Sequence, residues 1–246
     1  MYPFNKSLII TPTFNEIENI EKMIHTVFDL YNGISMLIID DGSPDGTGDA
    51  VKKLQAQYPN LHLIERSGKQ GLGTAYVTGF KWATEKSQRD YEYILEMDCD
   101  FSHDPNDVKH LIKACHENGN DLAIGSRYIN GIRIINWPFS RLLISYGGSF
   151  YTRMITGLPI LDTNGGFKCF RRDTLLALDL DGIISNGYSF QIELNYKVHC
   201  KGLKIKEVPI IFTERKEGIS KMSGNIISEA IFAILKLRLK KFFGTL

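Results

Sequence analysis

Short apolar runs recur along the first half of the chain and are separated by stretches in which apolar residues return every third or fourth position. Ser7–Thr11, Met36–Asp40, Leu61–Glu65, Tyr93–Met97 and Asp121–Gly125 read as buried strands. Between the first two, Ile20, Met23, Ile24, Val27, Phe28 and Tyr31 repeat at helical spacing behind Asn15, a residue type suited to capping a helix. Another helix is expected from near Thr47. Strand and helix in alternation predict a parallel α/β sheet with right-handed crossovers. Such sheets bind ligands beyond the carboxyl ends of their strands, which directs attention to the loops after strands one, two and four.

Beyond Arg127 the alternation weakens. Residues Ile129–Ile160 are rich in aromatics, Gly and Arg, and read as a loop and helices that serve a binding surface. Within them, Trp137, Phe139, Tyr146, Phe150 and Tyr151 mix with Arg133, Arg141 and Arg153, a composition fitting a membrane interface. A strand near Gly166–Phe170, a helix near Tyr188–Cys200, a strand near Leu203–Phe212 and a C-terminal helix complete the pattern. The apolar stretch Ile226–Phe243 is broken by Glu229, Lys236, Arg238, Lys240 and Lys241, so it reads as an amphipathic helix lying in the plane of an anionic membrane, not spanning it. The expected division is a catalytic domain over residues 1–225 and a membrane-associated helix over 226–246.

Composition narrows the class. With 246 residues, 43% hydrophobic and 23% charged, the chain has enough apolar surface for a substantial core. Lys plus Arg (29) nearly cancel Asp plus Glu (28), and a net charge of +1 gives no argument for nucleic-acid binding. Cys99, Cys115, Cys169 and Cys200 form no CxxC pair or zinc cluster and read as free thiols in a reducing compartment. Met1–Lys6 lacks the features of a secretory signal. The expected location is cytoplasmic, peripheral on the cytoplasmic face of a membrane, without an obligatory protein partner.

The unusual residues gather at strand ends. Met97-Asp98-Cys99-Asp100 closes an apolar strand with two carboxylates, hard oxygen ligands suited to Mg²⁺ or Mn²⁺ shared with a substrate's phosphates. Asp40-Asp41-Gly42-Ser43-Pro44-Asp45-Gly46 makes a tight turn before the next helix, and its acidic pair calls for a cation or donor such as the base or ribose of a nucleotide. Thr11-Pro12-Thr13-Phe14-Asn15-Glu16 lacks the glycines of a dinucleotide loop. The one Gly-x-Gly, Gly71-Leu72-Gly73, has Tyr76 where the third glycine belongs, which argues against NAD. Lys69 is placed to reach a phosphate. Arg127, Arg141, Arg215 and Lys221 together make a plausible phosphate clamp.

These segments, with Gly125-Ser126-Arg127-Tyr128, Asp98 to Pro105, Gly187 to Glu193 and Glu207 to Ile210, resemble in order the motifs of family 2 glycosyltransferases with the GT-A fold, most closely the dolichyl or polyprenyl phosphate mannose synthases. The resemblance implies a Rossmann-like, mostly parallel sheet flanked by helices. It also implies inverting transfer of mannose from GDP-mannose to a polyprenyl phosphate. Pro12, Phe14, Glu16, Ile39 and Asp41 would hold the nucleoside, with Phe14 standing where many relatives have tyrosine. Asp98, Cys99 and Asp100 would border the diphosphate. The two aspartates would hold Mg²⁺ or Mn²⁺, with Ser102 at a position where some relatives offer a glutamine. Arg127 and Arg141 would meet the lipid phosphate, and Arg215, Lys221 and Lys69 the donor. Asp98, Asp100 and Arg127 would carry catalysis. A phosphate monoester is largely dianionic at neutral pH and needs no strong base. His103 and Asp162 are the base candidates, His103 alternatively orienting the metal loop. The alternative reading keeps the fold but transfers glucose or another sugar from a UDP-sugar, to a lipid phosphate or a glycan.

Overall fold

The computed structural model describes residues 2–86, 90–183, 185, 187–214 and 224–244. Arg215 and Lys221 lie outside the described residues. The strands are β1 Ser7–Thr13, β2 Ser35–Asp40, β3 Leu61–Glu65, β4 Tyr93–Glu96, β5 Leu122–Ser126, β6 Ile134–Ile135, β7 Lys168–Arg171, β8 Ile205–Pro209 and β9 Phe212–Thr213. The helices are α1 Ile17–Leu30, α2 Thr47–Gln55, α3 Leu72–Lys81, α4 Val108–His116, α5 Phe139–Thr156, α6 Arg172–Ala177, α7 Tyr188–Cys200 and α8 Gly224–Phe242.

Seven strands form one sheet in the order β3-β2-β1-β4-β7-β5-β8. All pairings are parallel except those of β7, which runs antiparallel to both β4 and β5. The sheet is thus mostly parallel, as expected, and β7 is its one antiparallel member. Alternation of side chains along β1 sends Leu8 and Ile10 into a core under α3 and α7, and Ile9 into a second core under α1 and α4. Burial on both faces explains why these strands read as unbroken apolar runs. The expected strand over Leu203–Phe212 is two: β8 joins the main sheet, whereas β9 pairs with β6 in a small separate ribbon. That switch carries the chain across the site.

The first helix is capped from outside its own sequence. Asn15 has a left-handed φ of 59° and Glu16 is the N-cap residue without a side-chain cap bond. Instead the Asp45 carboxylate accepts from Ile17 N at 3.1 Å, and Thr47 Oγ1 accepts from Glu16 N at 3.0 Å. Asp45 also accepts from its own loop, at Thr47 N and Oγ1. Burial raises its carboxyl, but these bonds outweigh it and leave the group below the usual range. The α8 helix packs on α5 and α7 and puts Ile234 and Leu237 into the main core, so one of its faces is continuous with the preceding fold. Among the described residues no helix is long and apolar enough to cross a membrane.

Candidate active site

The carboxyl ends of β1, β2, β4 and β5 share one edge of the sheet, and antiparallel β7 begins there. β4 delivers Asp98 and Asp100. The Asp98 side chain is 41% exposed, and the hydroxyl of fully buried Tyr76 donates to its Oδ1 at 3.5 Å. Burial, then the negative charge of Asp98, pushes the Tyr76 phenol well above its usual value, so it stays protonated and a donor. Ser102 N donates to Asp100 Oδ1 at 3.1 Å, and Phe101 between them adopts a φ of 58°, a strained backbone position held in place by this turn. Cys99, expected beside the diphosphate, has its side chain in the core instead; burial, then Glu16, Asp100 and Asp98, raises its thiol far above the usual range. It remains a neutral thiol and a packing group.

His103 supports this loop from beneath. Its Nδ1 accepts Asp98 N at 3.2 Å, which assigns the ring proton to Nε2. The 3.9 Å approach of Nδ1 to Asp98 Oδ2 is accordingly no ion pair. The ring is buried, stacked on Phe167 at 4.9 Å and edge-on to Phe212 at 5.7 Å. Of its two expected roles, this geometry is that of a loop-orienting group.

β5 delivers Arg127 into a fully built ion pair. Its Nε and Nη2 donate to Asp162 at 2.7 and 2.6 Å, its backbone N donates to Asp162 Oδ2 at 2.9 Å, and Nη2 also reaches Asn164 Oδ1 at 2.5 Å. Asp162 is fully buried and takes three of these donors, a poor setting for a base and a good one for aiming a guanidinium. Glu207 of β8 in turn fixes Asp162, accepting from Leu161 N, Asp162 N and Ser126 Oγ at 2.8, 2.8 and 2.6 Å. The guanidinium carbon lies 5.3 to 5.6 Å from the rings of Tyr128, Trp137 and Phe212. Arg141 of α5 stacks on the other partner of this set, at 4.1 Å from the Trp137 ring, and pairs with Glu214. Trp137, expected on a membrane-facing surface, therefore lines the cavity beside Arg141, which was expected at the lipid phosphate.

Asp98, Asp100, Ser102, Arg127 and Arg141 all line one cavity of about 110 Å³, with Trp137, Gly166, Gln191, Phe212 and Glu214 among its other walls. The expected metal-binding and phosphate-binding residues thus meet. The expected nucleoside residues lie along the neighbouring loops. Phe14 is half-buried with the Lys69 ammonium 4.7 Å over its ring, and Pro12 and Glu16 are half-buried nearby in sequence. Ile39 is different: its side chain is fully buried in the core under α3, and only its strand position supports the site.

At Asp41 the protein itself supplies a cation and a donor: Arg66 Nε donates to its Oδ1 at 2.5 Å, and Gln70 N to Oδ2 at 3.2 Å. Arg66 also ties Thr74 Oγ1 and Gly71 O, while Asp40 is satisfied by Thr13 Oγ1, Ser43 N and Ser43 Oγ. Arg66 sits one residue past β3, the strand end that sequence reasoning passed over. The Gly-x-Gly has a packing cause: a Cβ at Gly73 would come within 2.9 Å of Phe190 and of Ser185 O.

Directly below the cavity, Glu96 of β4 faces Lys168 of β7 in register, both fully buried, and Gln191 of α7 bridges them. Gln191 Nε2 donates to Glu96 Oε2 at 2.7 Å, and Lys168 Nζ donates to Gln191 O at 3.2 Å and to its Oε1. Burial raises Glu96 to about 7 against the pull of Lys168, and burial lowers Lys168 to about 8 against that of Glu96. Alternating strand patterns hid this polar layer, because its members lie on three distant segments.

Comparison with known proteins places this geometry. Residues 8–178 match the pattern described as Glycosyl transferase family 2. The chain is 43% identical to an undecaprenyl-phosphate mannosyltransferase of Micrococcus luteus over 93% of its length and 92% of that protein's. It is 42% identical to a polyprenol monophosphomannose synthase of Mycolicibacterium smegmatis, over 94% of this chain and 86% of that one. A dolichol-phosphate mannosyltransferase of Pyrococcus furiosus is 34% identical, with 63% of its own length covered. Among solved structures, glucosyl-3-phosphoglycerate synthase of Mycobacterium tuberculosis in complex with Mn²⁺, UDP-glucose and phosphoglyceric acid superposes with a TM-score of 0.69 over 94% of this chain and 79% of that one. At 17% identity that likeness concerns the fold.

Proposed function

Because the chain belongs to glycosyltransferase family 2 and has its GT-A fold, we propose that it transfers mannose, with inversion, from GDP-mannose to the phosphate of a polyprenyl lipid at a membrane surface. The observation that carries this reading is the single cavity in which two aspartates meet two arginines. The names of the relatives at 42% and 43% identity supply the sugar and the lipid class.

Asp98 and Asp100, with Ser102 beside them, would hold Mg²⁺ or Mn²⁺. The donor set fits: two carboxylates and a hydroxyl are hard oxygen ligands, and the described residues contain no third His, Cys, Asp or Glu that would close the site. Such an open set leaves coordination positions for a substrate diphosphate, the usual arrangement for these ions. A bound divalent ion would neutralise charge that develops on the leaving diphosphate. Phe14 and Lys69, with Pro12 and Glu16, form the surface for the nucleoside, Arg66 and Asp41 bracing it from one side. Arg127 and Arg141 would hold the acceptor phosphate, and Arg215 and Lys221 are proposed to meet the donor. A dianionic phosphate oxygen attacks the anomeric carbon without surrendering a proton, which suits a site whose two base candidates are occupied in hydrogen bonds. Catalysis then rests on positioning and on charge stabilisation.

The lipid brings the enzyme to a membrane. The outer face of α5 presents Phe139, Leu143, Tyr146, Phe150 and Met154, all exposed, at helical spacing, and α8 presents Phe232, Leu239 and Phe242 with Lys236, Arg238, Lys240 and Lys241. Exposed apolar stripes beside basic residues suit an anionic bilayer. Arg141 and Ser145 of the same α5 helix line the cavity, which would set the acceptor phosphate close to the interface.

The test is transfer of radiolabelled mannose from GDP-mannose to polyprenyl phosphate in detergent, with UDP-glucose in parallel, with and without Mg²⁺ or Mn²⁺. Metal-dependent labelling from GDP-mannose alone is expected, and Asp98→Asn or Asp100→Asn should abolish it. Labelling only from UDP-glucose would overturn the donor, and no labelled lipid from either would overturn the acceptor.

A further inference from the structure

The two arginines of the cavity are held in different ways. The partner of Arg127, Asp162, is fully buried behind the cavity, and it takes two guanidinium nitrogens and the backbone of Arg127 at once. The partner of Arg141, Glu214, is itself a wall of the cavity. Its contact runs through Nη1 of Arg141, with side-chain exposures of 13% and 20% for the two residues. The Nε of Arg141 is buried and has no hydrogen-bond partner among the described residues. A carboxylate that engages one edge of a guanidinium while another donor stays unmet is an incomplete match. A phosphate oxyanion, with three acceptor oxygens, can complete it.

We propose that Glu214 is an internal stand-in for the acceptor's phosphate: its carboxylate occupies Arg141 until a phosphate monoester dianion displaces it, and this exchange sets the selectivity of the acceptor site. The inference rests on the functional reading above and adds a specificity-determining residue to it. Charge favours the exchange. Of the two arginines described in the cavity walls, Arg127 is already matched by Asp162, so an arriving phosphate meets the one that Glu214 holds, Arg141. A dianion arriving while Glu214 stays in place would meet a carboxylate. A monoanionic ligand, such as a phosphodiester or a carboxylate, gains at Arg141 little more than Glu214 already offers and is rejected. A dianion gains more and wins, so the competing carboxylate raises selectivity at some loss of affinity. Stacking on Trp137 at 4.1 Å keeps the guanidinium in place during the exchange, so Arg141 changes partner and not position. A partly exposed pair that holds Arg141 for most of the time lowers the apparent acceptor affinity by about three- to tenfold.

The experiment is calorimetric titration of a short-chain polyprenyl phosphate in detergent, and of its methyl diester, into the full-length wild type, Glu214→Gln, Arg141→Gln and the double variant. Thermal melting and metal-dependent GDP binding establish that each variant is folded, and Glu214→Ser stands in if Glu214→Gln is not. Expected are about three- to tenfold tighter binding of the monoester by Glu214→Gln, a larger gain for the diester, and no gain from Glu214→Gln in the Arg141→Gln background. Equal or weaker binding by Glu214→Gln would overturn the inference. So would the same tightening in the Arg141→Gln background, which would mark a general charge effect. In both cases a wild type that binds the monoester leaves the functional reading standing. A wild type that binds no polyprenyl phosphate and transfers no mannose to it overturns the functional reading and this inference with it.

Discussion

Replacing Asp162 with Asn removes the anion that holds Arg127 while keeping the side chain's size. Asp162 is fully buried and accepts three bonds of 2.6 to 2.9 Å from Arg127, whose side chain is 8% exposed. Breaking one side of a buried ion pair leaves the other charge uncompensated, at a cost of about 3–5 kcal/mol. For a chain of this size that corresponds to a melting temperature lower by roughly 6–20 °C. Mannose transfer should fall about a hundredfold, because Arg127 loses its aim. The decisive measurement is a double-mutant cycle by urea unfolding. Arg127→Gln with Asp162→Asn should be less destabilised than the sum of the single variants by about 2–3 kcal/mol, since the double change strands no charge. Additivity within about 0.5 kcal/mol would refute the reasoning. An Asp162→Asn protein of unchanged stability that has lost transfer would point instead to Asp162 acting on the substrate as a base.

Three further outcomes are expected. Glu96 titrates at about 7 in the fold, above its unfolded value of 4.5, so its contribution is complete below 4.5 and is lost as pH rises through 7; relative to wild type, Glu96→Gln should gain about 3 kcal/mol between pH 4.5 and 7, read from unfolding at a series of pH values. Asp45→Ala removes the cap of α1 and should cost about 1 kcal/mol by urea unfolding, less at low pH, where the depressed carboxyl of the wild type is protonated and its cap weakens. Phe139→Ser with Phe150→Ser should weaken sedimentation with anionic liposomes by about tenfold while leaving metal-dependent GDP binding intact; unchanged sedimentation would remove α5 from the membrane contact.

Much of this molecule is legible in its sequence. The strands under β1 to β5 appear as apolar runs because the sheet is covered on both faces, and α7 lies where a helix is expected, at Tyr188–Cys200. Asp98, Asp100, Arg127 and Arg141 were read at strand ends or in family motifs and do share a cavity. What escaped was pairing across distance. Arg66 lay in a loop without a motif, yet it is what meets Asp41. Glu214 stands in no motif of its own, and its partner Arg141 lies 73 residues earlier in the chain. Ile39 and Cys99 sit inside motifs, and proximity to a motif does not tell which way a side chain points.

The sequence by itself determined the alternation of strand and helix, the acidic and basic residues at the carboxyl edge, and the family to which they belong, because periodicity and local motifs are properties of neighbouring residues. Tertiary structure alone decided that β7 runs against its neighbours, that β8 and β9 part company, and that Asp162, Glu207 and Glu214 are the carboxylates that aim or occupy the arginines. Those outcomes depend on which strands find each other and which buried charges must be met, and a charge in a low-dielectric interior is satisfied by whatever partner the fold brings near, however far away it lies along the chain.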